Sequence, residues 1–128
     1  MPAFLRPESH TGSAADFVFP CYPLDRESGE WFMIEANDDV SFELVLPFDF
    51  KLYGATYAAG TSIYLNNNGN LSFDNAISSF TASMFPINAP MIAPFWADVD
   101  TRGAGEVWYK FFPDENKLAV IWEKVRTG

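Results

Sequence analysis

The sequence predicts an all-β domain of antiparallel strands arranged like a β-sandwich, and its composition is the first reason. Hydrophobic residues make up 48% and aromatic residues 17% of the chain, with 13 Phe, 4 Trp and 5 Tyr, which is too apolar for a disordered segment. Aromatic side chains favour strands, and 9 Pro with 8 Gly interrupt the chain too often for long helices. A chain of 128 residues is expected to make one domain with a buried core.

The first part of the chain, residues 1–39, is predicted to be an N-terminal arm that supplies an edge or donor strand. Residues 1–16 are small, polar and interrupted by Pro, which is typical of a flexible arm. Apolar stretches then surround Pro20 and Pro23. Because Pro has no N–H to give to a central ladder, short edge strands are expected there.

Residues 40–128 are predicted to form the β domain itself. Apolar and polar side chains alternate over residues 40–46, with Val40, Phe42, Leu44 and Leu46 on one face, so we expect a half-buried strand.

A hairpin is predicted where the strand-forming residues 62–65 and 70–73 flank Asn66-Asn67-Asn68-Gly69. An Asn-Gly pair readily takes the positive φ angles that a tight hairpin needs, which assigns those angles to Asn68 and Gly69.

The remaining segments predict a loop, a buried strand and a second hairpin. Residues 74–89 are rich in Ser, Ala and Asn and suit a loop, whereas residues 91–99 are nearly all apolar and suit a strand covered on both faces. Residues 106–112 and 117–125 flank the turn-forming residues 113–116, which indicates the second hairpin.

Three segments carry a resemblance to a known family. They are Leu-Pro-Phe-Asp-Phe-Lys-Leu-Tyr-Gly at 46–54, Ile-Tyr-Leu-Asn-Asn-Asn-Gly-Asn-Leu-Ser-Phe at 63–73 and Ile-Ala-Pro-Phe-Trp-Ala-Asp-Val-Asp-Thr at 92–101. In this order they resemble the NIDO (nidogen-like extracellular) domain of basement-membrane, tectorial-membrane and bacterial surface proteins.

The resemblance implies a secreted or cell-surface module of the extracellular matrix with a structural or adhesive role and no enzymatic activity. We expect protein–protein contact or self-assembly, and an open sheet edge would permit filament formation by strand exchange. Such domains continue into further strands, so residues 40–128 are expected to be a domain cut short at its C-terminal end, with one sheet edge left open.

The net charge of the chain limits the classes of partner that it is expected to bind. Eight Lys and Arg against 17 Asp and Glu give a net charge of −9, which repels nucleic-acid phosphates and anionic membrane surfaces and leaves cations and cationic partners open. No stretch reaches the roughly 18 consecutive apolar residues of a membrane helix. We therefore expect neither nucleic-acid binding nor membrane insertion.

Catalysis is not expected, because the usual catalytic side chains are missing. His10 is the only histidine and lies in the N-terminal arm, and Cys21 is the only cysteine, so no histidine-based triad or cysteine metal site can be built on the domain. The candidates for carboxylate chemistry would be Asp98, Asp100 and Glu106.

Calcium is the one cofactor that the sequence leaves open. Asp98 and Asp100 alternate with Val99 and so point to one face, and carboxylate oxygens suit calcium. The alternative is that these acids cap the turn at residues 102–105 or pair with Arg102.

A glycan-binding surface is the alternative to a protein-binding module. Trp31 and Trp108 could present aromatic faces to sugar rings, and Asn67 could offer its amide. The competing interpretations are that the tryptophans belong to the core and that Asn67 serves the turn.

Self-assembly would involve the N-terminal arm. The strand at 118–125 is apolar enough to need a covered edge, and residues 17–23, with Phe17, Phe19 and Cys21, are a candidate donor strand. That strand would fold back on its own chain or add to a neighbouring copy by β-augmentation. Cys21 would be a small buried apolar residue or form an intermolecular disulfide.

Overall fold

The computed structural model describes residues 30–84, 87 and 89–127, and residues 2–5 by their backbone. Over these residues ten strands form: β1 (Pro2–Leu5), β2 (Phe32–Met33), β3 (Ser41–Val45), β4 (Phe50–Leu52), β5 (Ala55–Tyr57), β6 (Ser62–Asn66), β7 (Asn70–Phe73), β8 (Met91–Ile92), β9 (Glu106–Phe112) and β10 (Lys117–Glu123). The described part of the chain contains no α-helix, and its one helical turn is a 3-10 turn at Pro113–Glu115. The all-β prediction is confirmed.

Two four-stranded antiparallel sheets make up the architecture. Sheet I has the order β1-β10-β9-β2, sheet II has the order β3-β6-β7-β8, and β4 and β5 form a separate hairpin. Every pairing among these ten strands is antiparallel. Neighbours such as β9 and β10 or β6 and β7 are hairpins, whereas β1 and β2 reach sheet I from far along the chain.

The core lies between the two sheets, because side chains from both belong to one buried cluster. Sheet I supplies Val107, Leu118, Val120 and Trp122, and sheet II supplies Leu44, Ile63, Leu65, Leu71 and Phe73. Aromatic side chains pack edge to face within this core, with ring centroids 6.2 Å apart for Phe48 and Phe111 and 5.7 Å apart for Phe95 and Trp122.

The hairpin predicted around the asparagine run is confirmed as β6–β7, but its turn differs from the prediction. The Gly69 N–H donates to the Asn66 carbonyl at 3.3 Å, and Gly69 has φ of 87°. Asn68 does not have a positive φ. A three-residue loop that ends in left-handed glycine needs only one such residue, whereas a two-residue turn would need two.

The second hairpin is confirmed as β9–β10. Its turn is the 3-10 turn at Pro113–Glu115, followed by Asn116 in the left-handed conformation with φ of 48°. The Asn116 N–H donates to the Pro113 carbonyl at 3.2 Å, which closes the turn.

The long strand predicted at residues 91–99 is wrong, since only Met91–Ile92 pair in the sheet. Beyond them the backbone bonds to the asparagine turn: Ala97 N–H donates to the Asn68 carbonyl at 3.2 Å and Val99 N–H donates to Asn68 Oδ1 at 2.8 Å. Apolar composition predicted the burial of Val99 but not its backbone partner.

The predicted strand at 40–46 is confirmed over β3 (Ser41–Val45), and Leu44 within the strand and Leu46 just after it are buried. The prediction that Val40 faces the core is wrong, because Val40 is exposed. It precedes β3, and its carbonyl accepts from the Asn67 N–H at 3.1 Å.

The flexible arm predicted for residues 1–16 is wrong at Pro2–Leu5, which form β1. This strand pairs with β10 in a register that runs from Pro2 opposite Ile121 to Leu5 opposite Leu118. Four residues are too few to give a periodic signal, and their partner strand lies near the other end of the sequence. The predicted donor segment, residues 17–23, lies outside the described residues.

Candidate functional site

Strand β10 is a central strand with both faces buried. Leu118, Val120 and Trp122 point into the core, while Ala119 and Ile121 belong to a second cluster on the opposite face. One edge of β10 pairs with β9 and the other with β1. Strand β1 therefore covers an edge whose exposure would invite pairing with another chain.

The face of sheet I that points away from sheet II carries this second cluster, and we call it the outer aromatic face. Its members are Trp31, Trp108, Phe112, Ala119 and Ile121. Ala119 is fully buried and Trp31 is 8% exposed. Trp108 and Phe112, by contrast, are half-buried.

The two tryptophans predicted to bind glycans both lie on the outer aromatic face. Trp31 packs edge to face on Phe112, with centroids 6.3 Å apart. Trp108 is half-buried, and its Nε1–H donates to Glu106 Oε2 at 3.0 Å. Their packing favours the core interpretation over a sugar platform.

Two lysines lie close to the same face. The Lys117 Nζ is 4.2 Å from the Phe112 ring centroid and 2.8 Å from Glu115 Oε2, and the residue is 3% exposed. The Lys110 Nζ is 4.7 Å from the Phe112 ring centroid and forms an ion pair with Glu30. Each ammonium gains a cation–π contact in addition to its carboxylate.

The asparagine turn lies inside the molecule, although asparagines in turns are usually exposed. Asn67 is 2% exposed, and its Nδ2 donates to the carbonyls of Asn37 and Val99. Its own carbonyl accepts from Trp122 Nε1 at 3.2 Å. Within the described residues, Asn67 Oδ1 and Asn70 Nδ2 are buried without a hydrogen-bond partner. The contacts of Asn67 favour the structural role over glycan binding.

An acidic cluster lies beside this turn. The carboxylate oxygens of Asp38, Asp39 and Asp98 come within 4.8 Å of one another. Asn68 Nδ2 donates to Asp39 Oδ1 at 2.7 Å. Desolvation raises the pKa of Asp38, and the neighbouring carboxylates, led by Asp100, raise it further against the opposing charge of Arg102.

Asp100 is bound by Arg102 instead of joining that cluster. Arg102 Nε and its backbone N–H donate to Asp100 Oδ1 at 2.8 and 2.9 Å, and Arg102 Nη2 lies 2.8 Å from Asp100 Oδ2. These hydrogen bonds lower the pKa of Asp100 to about 2. Arg102 Nη2 also contacts Asp38 Oδ2 at 2.6 Å.

The two predicted calcium ligands thus have different neighbours. Asp98 lies with Asp38 and Asp39, while Asp100 has the arginine partner that the sequence left as the alternative. The sequence alone did not predict the clustering of Asp38 with Asp98, because the two segments are about 60 residues apart. They are joined by the bridge between Asp38 and Asp100 and by hydrogen bonds between Asn37 and Thr101. Calcium binding stays a prediction.

Two of the three acids considered for catalysis have structural partners. Asp100 is paired with Arg102, and Glu106 accepts from Trp108. His10 and the predicted assembly residues Phe17, Phe19 and Cys21 lie outside the described residues. No helix long and apolar enough to cross a membrane occurs over the described ranges.

Comparison with known proteins identifies the family. The family model of the nidogen-like domain matches residues 61–128, a segment that includes the asparagine turn, Asp98, Asp100 and the β9–β10 hairpin. This chain belongs to the nidogen-like domain family. The resemblance found in the sequence is confirmed.

Curated relatives agree with this assignment of the nidogen-like domain. Over 103 residues, or 79% of the chain, it is 31% identical to alpha-tectorin of Mus musculus and 30% identical to alpha-tectorin of Homo sapiens. Nidogen-2 of Mus musculus is 28% identical over 110 residues, or 84% of the chain. The chain spans only 4% of the alpha-tectorins and 8% of nidogen-2. No solved structure shows a significant match.

The family and these relatives indicate an extracellular matrix module.

Proposed function

We propose that this nidogen-like domain is a secreted or cell-surface, non-catalytic module that contacts other proteins and associates with copies of itself by exchanging strand β1. The observation that carries the proposal is the position of β1. It completes the edge of a central strand from a distant part of the sequence.

The contacts of β10 explain why this edge needs a partner. Side chains on both faces of β10 are buried, so the strand cannot be shielded by polar side chains as a typical edge strand is. Backbone pairing with β1 over Pro2–Leu5 supplies that cover. An extended segment from another molecule could make the same backbone bonds, which is the principle of β-augmentation.

The connection between β1 and the rest of sheet I permits exchange. Residues 6–29 separate β1 from Glu30, which precedes β2. Closing a loop of this length costs only about 0.6 kcal/mol more for each doubling of its length. A connection of 24 residues is long enough for β1 to reach a neighbouring molecule, but the strand of the same molecule has an effective concentration on the order of millimolar, so exchange is expected to increase with protein concentration. Reciprocal exchange would give a closed dimer, and head-to-tail exchange would give a filament.

Engineered disulfides test whether β1 pairs within or between molecules. The pairs Ala3→Cys with Val120→Cys and Phe4→Cys with Ala119→Cys place thiols at directly opposed positions, in a Cys21→Ser background. Two adjacent pairs are used because opposed residues alternate between bonded and non-bonded sites, and only some accept a disulfide. On non-reducing gels we expect covalent dimers or a ladder that collapses on reduction.

A matched control keeps the cysteine at position 119 and pairs it with a residue of the same hairpin. Lys110 lies opposite Ala119 in the β9–β10 hairpin, so Lys110→Cys with Ala119→Cys gives only an intrachain disulfide. If the β1 pairs also give only intrachain disulfides at every protein concentration, β1 belongs to its own molecule and the exchange proposal is wrong.

A carbohydrate-binding module remains the second candidate, but the described contacts give it little support. Its main residue, Trp31, is packed against Phe112.

For the nidogen-like domain as a non-catalytic module, we expect no turnover of substrate in glycosidase and esterase screens. Turnover that Asp98→Asn abolishes would contradict the non-catalytic assignment.

A further inference from the structure

The two ends of the segment formed by residues 6–29 lie at the same end of sheet I. Leu5 is opposite Leu118, at the beginning of β10 and next to the β9–β10 turn. Strand β2 runs antiparallel to β9. Glu30 precedes β2 and forms an ion pair with Lys110, so it lies toward that turn as well.

These ends are on opposite edges of the sheet, because β10 and β9 lie between β1 and β2. Three strand spacings of about 4.8 Å make a gap of roughly 14 Å, which about five extended residues can bridge. The connecting segment has 24 residues, 6–29. Most of it is therefore free to cover a surface near the two ends.

Only one face of sheet I can receive it. The inner face packs on sheet II through the buried core. The outer aromatic face is apolar, with Trp31, Ala119 and Ile121 buried, and in the described residues no second sheet lies on it. A face of this kind at the surface of a secreted protein needs a covering layer.

The segment contains a sequence that suits this face. Residues 17–24 read Phe-Val-Phe-Pro-Cys-Tyr-Pro-Leu and carry no charge. Asp16 and Asp25 flank this apolar run, and the outer aromatic face is bordered by Lys110 and Lys117. The apolar run matches the apolar face. Lys110 and Lys117 already pair with Glu30 and Glu115, so the match rests on the apolar character of both surfaces.

We propose that residues 17–24 dock on the outer aromatic face and form a third layer over sheet I. The occupant of this face is thus the chain's own N-terminal segment, which makes the tryptophan face unavailable to glycans. The proposal goes beyond strand exchange and does not depend on it. The outer aromatic face needs the cover of residues 17–24 whether β1 pairs within its own molecule or with a neighbour.

The natural Cys21 tests this docking without any mutation, since it lies in the middle of the run. We expect the thiol of the native protein to react with a maleimide or an aromatic disulfide reagent at least about tenfold more slowly than in denaturant, because reaction requires local opening. Reaction in the native protein at the rate of the denatured protein would overturn the proposal. The result is independent of the gel experiment, because purely intrachain β1 disulfides would leave Cys21 protected.

Paired variants add a second measurement. Phe17→Ser with Phe19→Ser should expose the outer aromatic face and increase iodide quenching of tryptophan fluorescence from Trp31 and Trp108. The matched control removes two apolar side chains that are already exposed, Phe80→Ser with Met84→Ser, and should leave quenching unchanged. Equal quenching in both variants would contradict docking, and if the first variant fails to fold, the Cys21 rate in the unmodified protein decides.

Discussion

At Gly69 the backbone is constrained in two independent ways. Its φ of 87° lies in the left-handed region, and a Cβ added there would come within 2.1 Å of the Phe95 carbonyl oxygen. The first constraint follows from the turn and was visible in the Asn-Gly pair. The second arises because residues 95–99 pack against the turn, which no local pattern predicts.

Substituting Gly69 therefore should cost more than backbone strain alone. We expect Gly69→Ala to destabilise the domain by more than about 2 kcal/mol, since strain and a steric overlap add. The control is Gly60→Ala, where φ is also positive at 91° but nothing lies within 4 Å of the added Cβ; about 1 kcal/mol is expected there. Chemical denaturation measures both, and equal costs would show that the contact with Phe95 is not formed.

The pairing of Asp100 with Arg102 predicts a loss of stability in acid. The hydrogen bonds from Arg102 lower the pKa of Asp100 from 3.8 to about 2, so this stabilisation is present above pH 3.8 and is lost as the pH falls through about 2. The raised pKa of Asp38 acts in the opposite direction, because protonating Asp38 favours the folded state. We expect Asp100→Asn to lose less stability than the wild type between about pH 4 and pH 2, and identical pH profiles would contradict the pairing.

Crowding of Asp38, Asp39 and Asp98 predicts that removing one charge is stabilising. Their oxygens lie within 4.8 Å of one another, so Asp98→Asn should raise Tm in EDTA at low salt, and the rise should be smaller at high salt.

The wild type and Asp98→Asn also test the predicted calcium site. A rise in Tm with calcium that occurs in the wild type and not in Asp98→Asn would establish it, and no calcium effect in either would exclude it.

Among the elements, the β9–β10 hairpin shows how local sequence sets a turn. Pro113 begins the 3-10 turn, and Asn116 ends it with φ of 48°, a conformation that Asn tolerates better than other residues with a Cβ. Here sequence and structure agree because every constraint lies within a few residues. Strand β8 is the opposite case, since its continuation bonds to Asn68 and not to a neighbouring strand.

The turn can be tested by a pair of substitutions at Asn116. Asn116→Val should destabilise the domain by about 1–3 kcal/mol, because a β-branched residue is strained at positive φ. Asn116→Gly relieves that strain and should change stability by less than about 0.5 kcal/mol. Equal effects of the two substitutions on the denaturation midpoint would contradict the left-handed turn.

At the scale of the whole molecule, Trp122 connects segments that are far apart in the sequence. It lies on β10 in sheet I, and its Nε1–H donates to the Asn67 carbonyl in the β6–β7 turn of sheet II at 3.2 Å. Its ring packs edge to face on Phe95. One side chain thus joins the hairpin, the turn and the segment that follows β8.

Removing this indole N–H should be costly because it leaves a buried carbonyl without that donor. We expect Trp122→Phe to destabilise the domain by about 1–3 kcal/mol from the lost hydrogen bond, with a further loss from the smaller ring. Trp96→Phe is the comparison, since Trp96 Nε1–H donates to the Ser79 carbonyl in an exposed setting at 3.0 Å. If Trp122→Phe costs no more than Trp96→Phe in denaturation, the link between the sheets is not a major stabilising contact.

Sequence by itself determined the strand-rich fold, both hairpins and the family, because alternation, turn residues and motif order are local properties of the chain. It also identified Asp98 and Asp100 as candidate ligands, and it named Arg102, two residues from Asp100, as a possible ion-pair partner. It did not assign β1 to the edge of β10, bring Asp38 and Asp39 to Asp98, or bury the asparagine turn. Each of these outcomes depends on contacts between segments that are distant in sequence. Backbone groups, charges and apolar side chains all need partners, and the packing of the two sheets decides which partners come near. Only the tertiary structure therefore determines these contacts.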